Sequence, residues 1–157
     1  MPKIHITTFI AAPPERVFNL SRSINLHTIS TAGTNEKAIA GTTTGLINLN
    51  ETVTWQAKHL FKQRIFVSKI TAMNNPNDFT DEMVTGDFKS FKHHHHFKQI
   101  QNGTIMIDVL FFESPYGVIG RWFNKLFLTK YLERFLNNRN AIIKEYAESD
   151  KWKVILN

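Results

Sequence analysis

The chain has 157 residues, a net charge of +6 with histidines neutral, and no cysteine. That length supports one domain, residues 1–157, with a real core and a C-terminal tail over 148–157. The lack of cysteine excludes disulfide scaffolds, thiolate zinc sites and cysteine nucleophiles. The thirteen Phe and three Trp can fill an interior or line an apolar pocket. No apolar stretch reaches the roughly 18 residues that span a bilayer. Met1–His5 shows no signal-peptide pattern, so a cytoplasmic location is expected. The positive charge reads first as a solvated basic surface; no nucleic-acid motif accompanies it, so no nucleic-acid partner is expected.

In chain order, Lys3–Ile10 alternates loosely and predicts a first strand. Pro13 and Pro14 suit the first turn of a helix, and Val17, Leu20, Ile24 and Ile29 predict two short helices ending near Ser30. Glu36–Ala40 predicts a short strand, and Gly41–Gly45 a loop near a pocket mouth. Glu51–Leu60 alternates cleanly, with Val53, Trp55, Ala57 and His59 on one face. Lys62–Ala72 and Phe79–Thr85 are further strands around a turn at Asn74–Asp78. Phe88–Ile100 and Thr104–Glu113 flank the hairpin signal Asn102-Gly103. After Ser114–Gly117 the period becomes helical from Val118 to Glu148, which predicts one helix of about 45 Å. Its apolar face comprises Ile119, Phe123, Phe127, Tyr131 and Phe135 beside Trp122, Leu126, Leu132, Leu136 and Ile143; Arg121, Lys125, Lys130, Arg134, Arg139 and Lys144 make the polar side.

The run His93–His96 lies inside a strand, where successive side chains point to opposite faces. His93 and His95 therefore share an inward face with Phe91 and Phe97, while His94 and His96 share the outer face with Lys92 and Lys98. An antiparallel sheet needs a cover, and the last helix is large enough to provide it. The expected class is α+β: a curved antiparallel sheet of six to seven strands gripping a long C-terminal helix, with two short helices after the first strand.

Several segments resemble the START-like superfamily (SRPBCC, birch-pollen-allergen-like), and within it a bacterial polyketide cyclase/dehydrase-like, ligand-binding branch. They are Ala12-Pro13-Pro14-Glu15-Arg16-Val17-Phe18, Glu51–His59, Phe79–Val84, Phe91–Phe97 with its F-x-H-x-H-x-F pattern, and Pro115–Arg121. The resemblance runs from about Lys3 to Glu148. It implies a helix-grip fold with an internal pocket, and no single chemistry.

Strand alternation places Trp55, His59, Asp81, Met83, Phe91, His93, His95, Phe97, Met106, Asp108, Leu110 and Phe112 toward that pocket. Trp122, Phe123, Leu126 and Phe127 would form part of its roof. His59, His93, His95 and Asp108 are candidate acid–base or head-group residues, and a facing acid would raise a histidine's pKa. Two histidines at i and i+2 can reach one metal, but no cofactor or physiological metal is expected; His94 and His96 suit adventitious metal better. No nucleophile elbow or phosphate loop is present. Ile105, Ile107, Val109 and Phe111 point outward, an apolar row that predicts a homodimer contact. The expected function is binding of a lipid, polyketide or isoprenoid-like molecule between sheet and helix. The alternatives are a cyclase or dehydratase, and a membrane-associated module using the basic surface.

Overall fold

The computed structural model describes residues 1–119, 121, 122 and 126–157. Seven strands form one antiparallel sheet: β1 (Lys3–Ile10), β2 (Lys37–Gly41), β3 (Thr52–His59), β4 (Lys62–Asn74), β5 (Asp78–Thr85), β6 (Ser90–Ile100) and β7 (Gly103–Glu113). Their order is β1-β7-β6-β5-β4-β3-β2, a meander whose first strand crosses over to pair with its last. Helices α1 (Pro14–Ser21) and α2 (Ile24–Ser30) make that crossover. Pro14 opens α1, and the Ser23 hydroxyl caps α2 by accepting from the Leu26 amide. Gly103 allows the tight β6–β7 turn to pass close to β1: a Cβ there would lie 2.3 Å from the Ile10 carbonyl oxygen.

Pairing shifts leave Ile39 of β2, Thr71 of β4 and Val84 of β5 as extra residues, bulges that bend the sheet. Its concave face grips the C-terminal helix. That helix differs from the single rod expected. It runs as α3 (Gly117–Phe123), a π-helical turn over Asn124–Leu128, and α4 (Thr129–Glu148). A π turn inserts an extra residue and rotates the phase of what precedes it. Leu132, Leu136 and Ile143 of α4 are buried, whereas Ile119, Trp122 and Leu126 before it are exposed. The 148–157 tail contains a further short helix, α5 (Trp152–Leu156), whose Trp152 ring lies under the Arg16 guanidinium at 4.3 Å. Among the described residues, no helix is long and apolar enough to cross a membrane.

Two clusters of buried side chains lie between sheet and helices. One gathers Ile10, Phe18, Leu20, Phe79, Phe97, Met106 and Ile143, with Phe18 edge-on to Phe79 and Phe97. The other joins Ile4, Leu110 and Phe112 to Leu128, Leu132 and Leu136. The gap between the clusters is the cavity.

Candidate functional site

A cavity of about 350 Å³ separates the sheet from α4. Trp55, Phe66, Phe79, Phe91 and Phe135 contribute aromatic wall, and Ile65, Asp87, Pro115 and Tyr116 are the exposed lining residues that mark its opening. The mouth therefore lies between the β3–β4 tip, the β5–β6 turn and the start of α3. The Gly41–Gly45 loop, expected there, contributes nothing to the wall; its Gly45 amide and carbonyl are tied to Asn25 and Ile24 of α2.

A charged cluster underlies the floor. Register pairs His95 with Asp108 across β6 and β7, and Asp81 with His93 across β5 and β6. His93 Nε2 lies 2.9 Å from Asp108 Oδ1. His95 Nδ1 comes within 3.0 Å of the same oxygen, at an angle that leaves this nitrogen without a hydrogen bond. Asn140 Nδ2 donates to Asp108 Oδ2 at 2.7 Å, and Arg139 Nη1 lies 3.7 Å from Oδ1. Arg139, expected on the polar side of the last helix, is buried. It stands three residues after Leu136 and four before Ile143, so it shares their inward face.

These surroundings drive the two aspartates apart. Burial works to raise Asp108, but the hydrogen bond from His93, the close approach of His95 Nδ1 and the charge of both histidines hold it well below the usual carboxylate range. Burial raises Asp81, and His93, the Ser68 hydroxyl, His27 and Arg139 offset this only in part. Asp81 lines the cavity, and its Oδ1 is sealed from solvent and without a hydrogen-bond partner. His95 is pushed well below its ordinary value by burial, then by His93. This corrects the expectation that facing acids would raise the histidines: at His95 desolvation outweighs Asp108.

A second polar chain lies along the wall between α2 and α4. Glu36 Oε2 lies 2.5 Å from His27 Nε2, Glu36 Oε1 lies 3.2 Å from His59 Nε2, and His59 Nδ1 lies 2.6 Å from the Tyr131 hydroxyl. All four residues line the cavity. Burial works to raise Glu36, but the charge and hydrogen bonds of His27 and His59 bring it from 4.5 down to about 2. Burial, then Glu36, raises the Tyr131 phenol.

Of the residues expected at the pocket, Trp55, His59, Asp81, Phe91, His93, His95 and Leu110 line it. Asp108 lies directly behind His93 and His95. Phe97, Met106 and Phe112 face inward but belong to the two apolar clusters. Met83, next to the bulged Val84, is not among the lining residues, and its sulfur fills the space over Gly86. Trp122, Leu126 and Phe127 stand exposed, because the helical part of the roof begins at Leu128, the last residue of the π turn. Phe123 lies outside the described residues. Sequence reading missed His27, Glu36, Tyr131 and Arg139 as site residues. Tyr131 was on the apolar stripe it identified, but nothing local joins Glu36 to His59.

His93, His95 and Asp108 offer donor atoms that lie within 4.8 Å of one another, so this trio could hold a divalent cation. Arg139 already supplies positive charge at Asp108 Oδ1, and a metal there would face it. On the outer face, His94 Nδ1 lies 3.0 Å from Thr80 Oγ1 and His96 is exposed.

The sequence matches no protein-family model and no curated protein. Solved structures are similar throughout. TTHA0849 from Thermus thermophilus aligns with a TM-score of 0.76 and 18% identity, over 93% of this chain and 97% of that one. Major latex-like protein 151 from Panax ginseng aligns at 0.70 and 17%, over 94% and 98%. Ara h 8.0201 aligns at 0.64 and 9%, over 93% and 97%. The last two are birch-pollen-allergen-like proteins. The fold is START-like. At these identities the likeness is one of fold, and it matches the resemblance carried by the F-x-H-x-H-x-F strand. Such a fold is compatible with a small-molecule ligand between sheet and helix.

Proposed function

We propose that the protein binds a hydrophobic or amphipathic small molecule, of lipid, polyketide or isoprenoid type, inside the cavity, and that it does so in the cytoplasm. The observation that carries this reading is the cavity itself, an aromatic-walled space of about 350 Å³ whose lining includes Asp81, His93 and His95. Asp81 Oδ1 is buried without a protein partner, a state that costs about 1–3 kcal/mol, and a ligand donor reaching it after a small side-chain shift would recover that cost. Aromatic walls would bury the ligand's body, and Asp81, His93 and His95 would meet its polar end. Native mass spectrometry of freshly purified protein is expected to show a one-to-one adduct, and Asp81→Leu to lose it. An adduct retained undiminished in Asp81→Leu would remove Asp81 from the site.

The alternative reading is proton-transfer catalysis of the cyclase or dehydratase kind. It is favoured by the Glu36–His59–Tyr131 chain, in which a carboxylate orients a histidine against a phenol inside the cavity. His59→Gln would then abolish turnover of a bound ligand while affinity changed little. Loss of affinity without any turnover by the parent protein would support binding alone.

A homodimer across the outer face is proposed on the row Ile105, Ile107, Val109 and Phe111, continued by the exposed Phe9. Lys3 lies 5.8 Å over Phe111, and the His94 ring stands edge-on to it, so the row is already half-covered. Light scattering at high concentration decides: a monomer removes the proposal.

A further inference from the structure

The end of the molecule that holds the cavity mouth also presents a band of large apolar side chains to solvent. Phe61 is 96% exposed, Ile119 78% and Trp122 68%, with Val118 and Leu126 also more than half exposed. They flank the opening, since Leu60 beside Phe61 and Tyr116 at the start of α3 both line the cavity. The His59–Tyr131 contact ties the β3–β4 tip to the first turn of α4.

The tip has an unusual build. Leu60 and Phe61 form its two-residue loop with φ of 51° and 66°. Positive φ at both central positions is the conformation that Asn-Gly ordinarily supplies. Bulky residues adopt it against steric resistance, and here the result is a fully presented phenyl ring.

Charge is equally uneven. Residues 58–64 and 115–134 contain seven lysines and arginines and one acid, Glu133, a net +6. The other twelve cationic and twelve acidic residues cancel, so these two segments carry the whole excess charge of the chain. Arg64 is paired with Asp87 from the next turn, while Lys58, Lys62, Arg121, Lys130 and Arg134 are exposed. Exposed apolar side chains that include a Trp, with exposed cations in the same two segments, suit the headgroup region of an anionic bilayer. A second copy of this chain would instead oppose one cationic rim with another.

We propose that the mouth end docks on anionic lipid bilayers, with Phe61, Ile119 and Trp122 inserted below the headgroups and the cavity opening onto the membrane. The docking surface is separate from the cavity wall, so it can be tested without knowing the cavity's ligand. The test is co-sedimentation of the full chain with vesicles of phosphatidylcholine alone or mixed with phosphatidylglycerol, at low and high salt. Binding to the mixed vesicles, weakened by salt and absent from phosphatidylcholine alone, is expected. Phe61→Ser and Ile119→Ser should each reduce the partition coefficient about tenfold, with unchanged thermal unfolding; Trp122→Ser serves where either variant fails to fold. No binding to mixed vesicles, or equal binding by the parent and the serine variants, would overturn the proposal. So would a dimer in light scattering that the same substitutions disperse.

Discussion

His59 at the end of β3 and Tyr131 in the first turn of α4 meet at 2.6 Å between Nδ1 and the hydroxyl, joining sheet and helix along the cavity wall. His59 also leans on Glu36 through its other nitrogen, so one imidazole fixes the spacing of three elements. Tyr131→Phe keeps the ring and removes the hydroxyl. It is expected to lower unfolding free energy by about 1 kcal/mol in urea titrations, the net value of a half-buried hydrogen bond. A larger loss would mean that the contact also maintains the packing of α4.

Asp108 is the anion on which His93, His95, Asn140 and Arg139 converge. Asp108→Asn preserves its shape but leaves the Arg139 guanidinium buried without its counter-charge. A loss of about 3–5 kcal/mol is expected by chemical denaturation. Asp108→Asn combined with Arg139→Met should recover much of that loss, because no uncompensated charge then remains.

Acid stability should report on Glu36. Its folded value of about 2 lies below its ordinary 4.5, so the unfolded chain binds more protons between these values. The resulting stabilisation, at most about 3 kcal/mol, is fully present above pH 4.5 and is lost as pH falls through about 2. His95, depressed from 6.5, acts in the same direction and starts the decline nearer neutrality. Urea midpoints from pH 2 to 8 should therefore fall with acid, and Glu36→Gln should flatten the lowest part of the curve.

Asp81 acts in the opposite direction. Its value is raised above 3.8 in the folded state, so it favours folding below that pH and opposes it as pH rises through the folded value. Asp81→Asn should gain stability relative to the parent as pH increases from 3.8 upward. A variant equally stable at every pH would mean that Asp81 ionises without penalty.

The β3–β4 tip should be improvable in stability at the expense of its exposed ring. Replacing Leu60-Phe61 with Asn-Gly relieves two side chains at positive φ and should raise unfolding free energy by about 1 kcal/mol. Thermal and urea unfolding measure this directly.

Much of the architecture was legible because strand alternation and helical period are local. Lys3–Ile10 emerged as a strand with those bounds, the paired prolines marked α1, and Asn102-Gly103 marked the β6–β7 hairpin. The inward face of the histidine strand was also correct, since one buried face fixes a strand's parity. Met83 is missing from the wall beside a bulge at Val84 of its own strand, an irregularity that strict alternation does not anticipate. Trp122 and Leu126 departed from the expected roof because the π turn breaks the period on which that expectation rested.

The sequence by itself determined which residues alternate, where the chain turns, and that His93 and His95 share one side of β6. Only the tertiary structure decided that Arg139, on a helix otherwise polar at that point, is buried against Asp108. Likewise, only the closure of sheet on helix joins Glu36 to His27, His59 and Tyr131 while leaving Asp81 Oδ1 unpaired. The reason is physical: side-chain direction follows from the backbone within a few residues, whereas desolvation and charge pairing depend on groups brought together from distant parts of the chain.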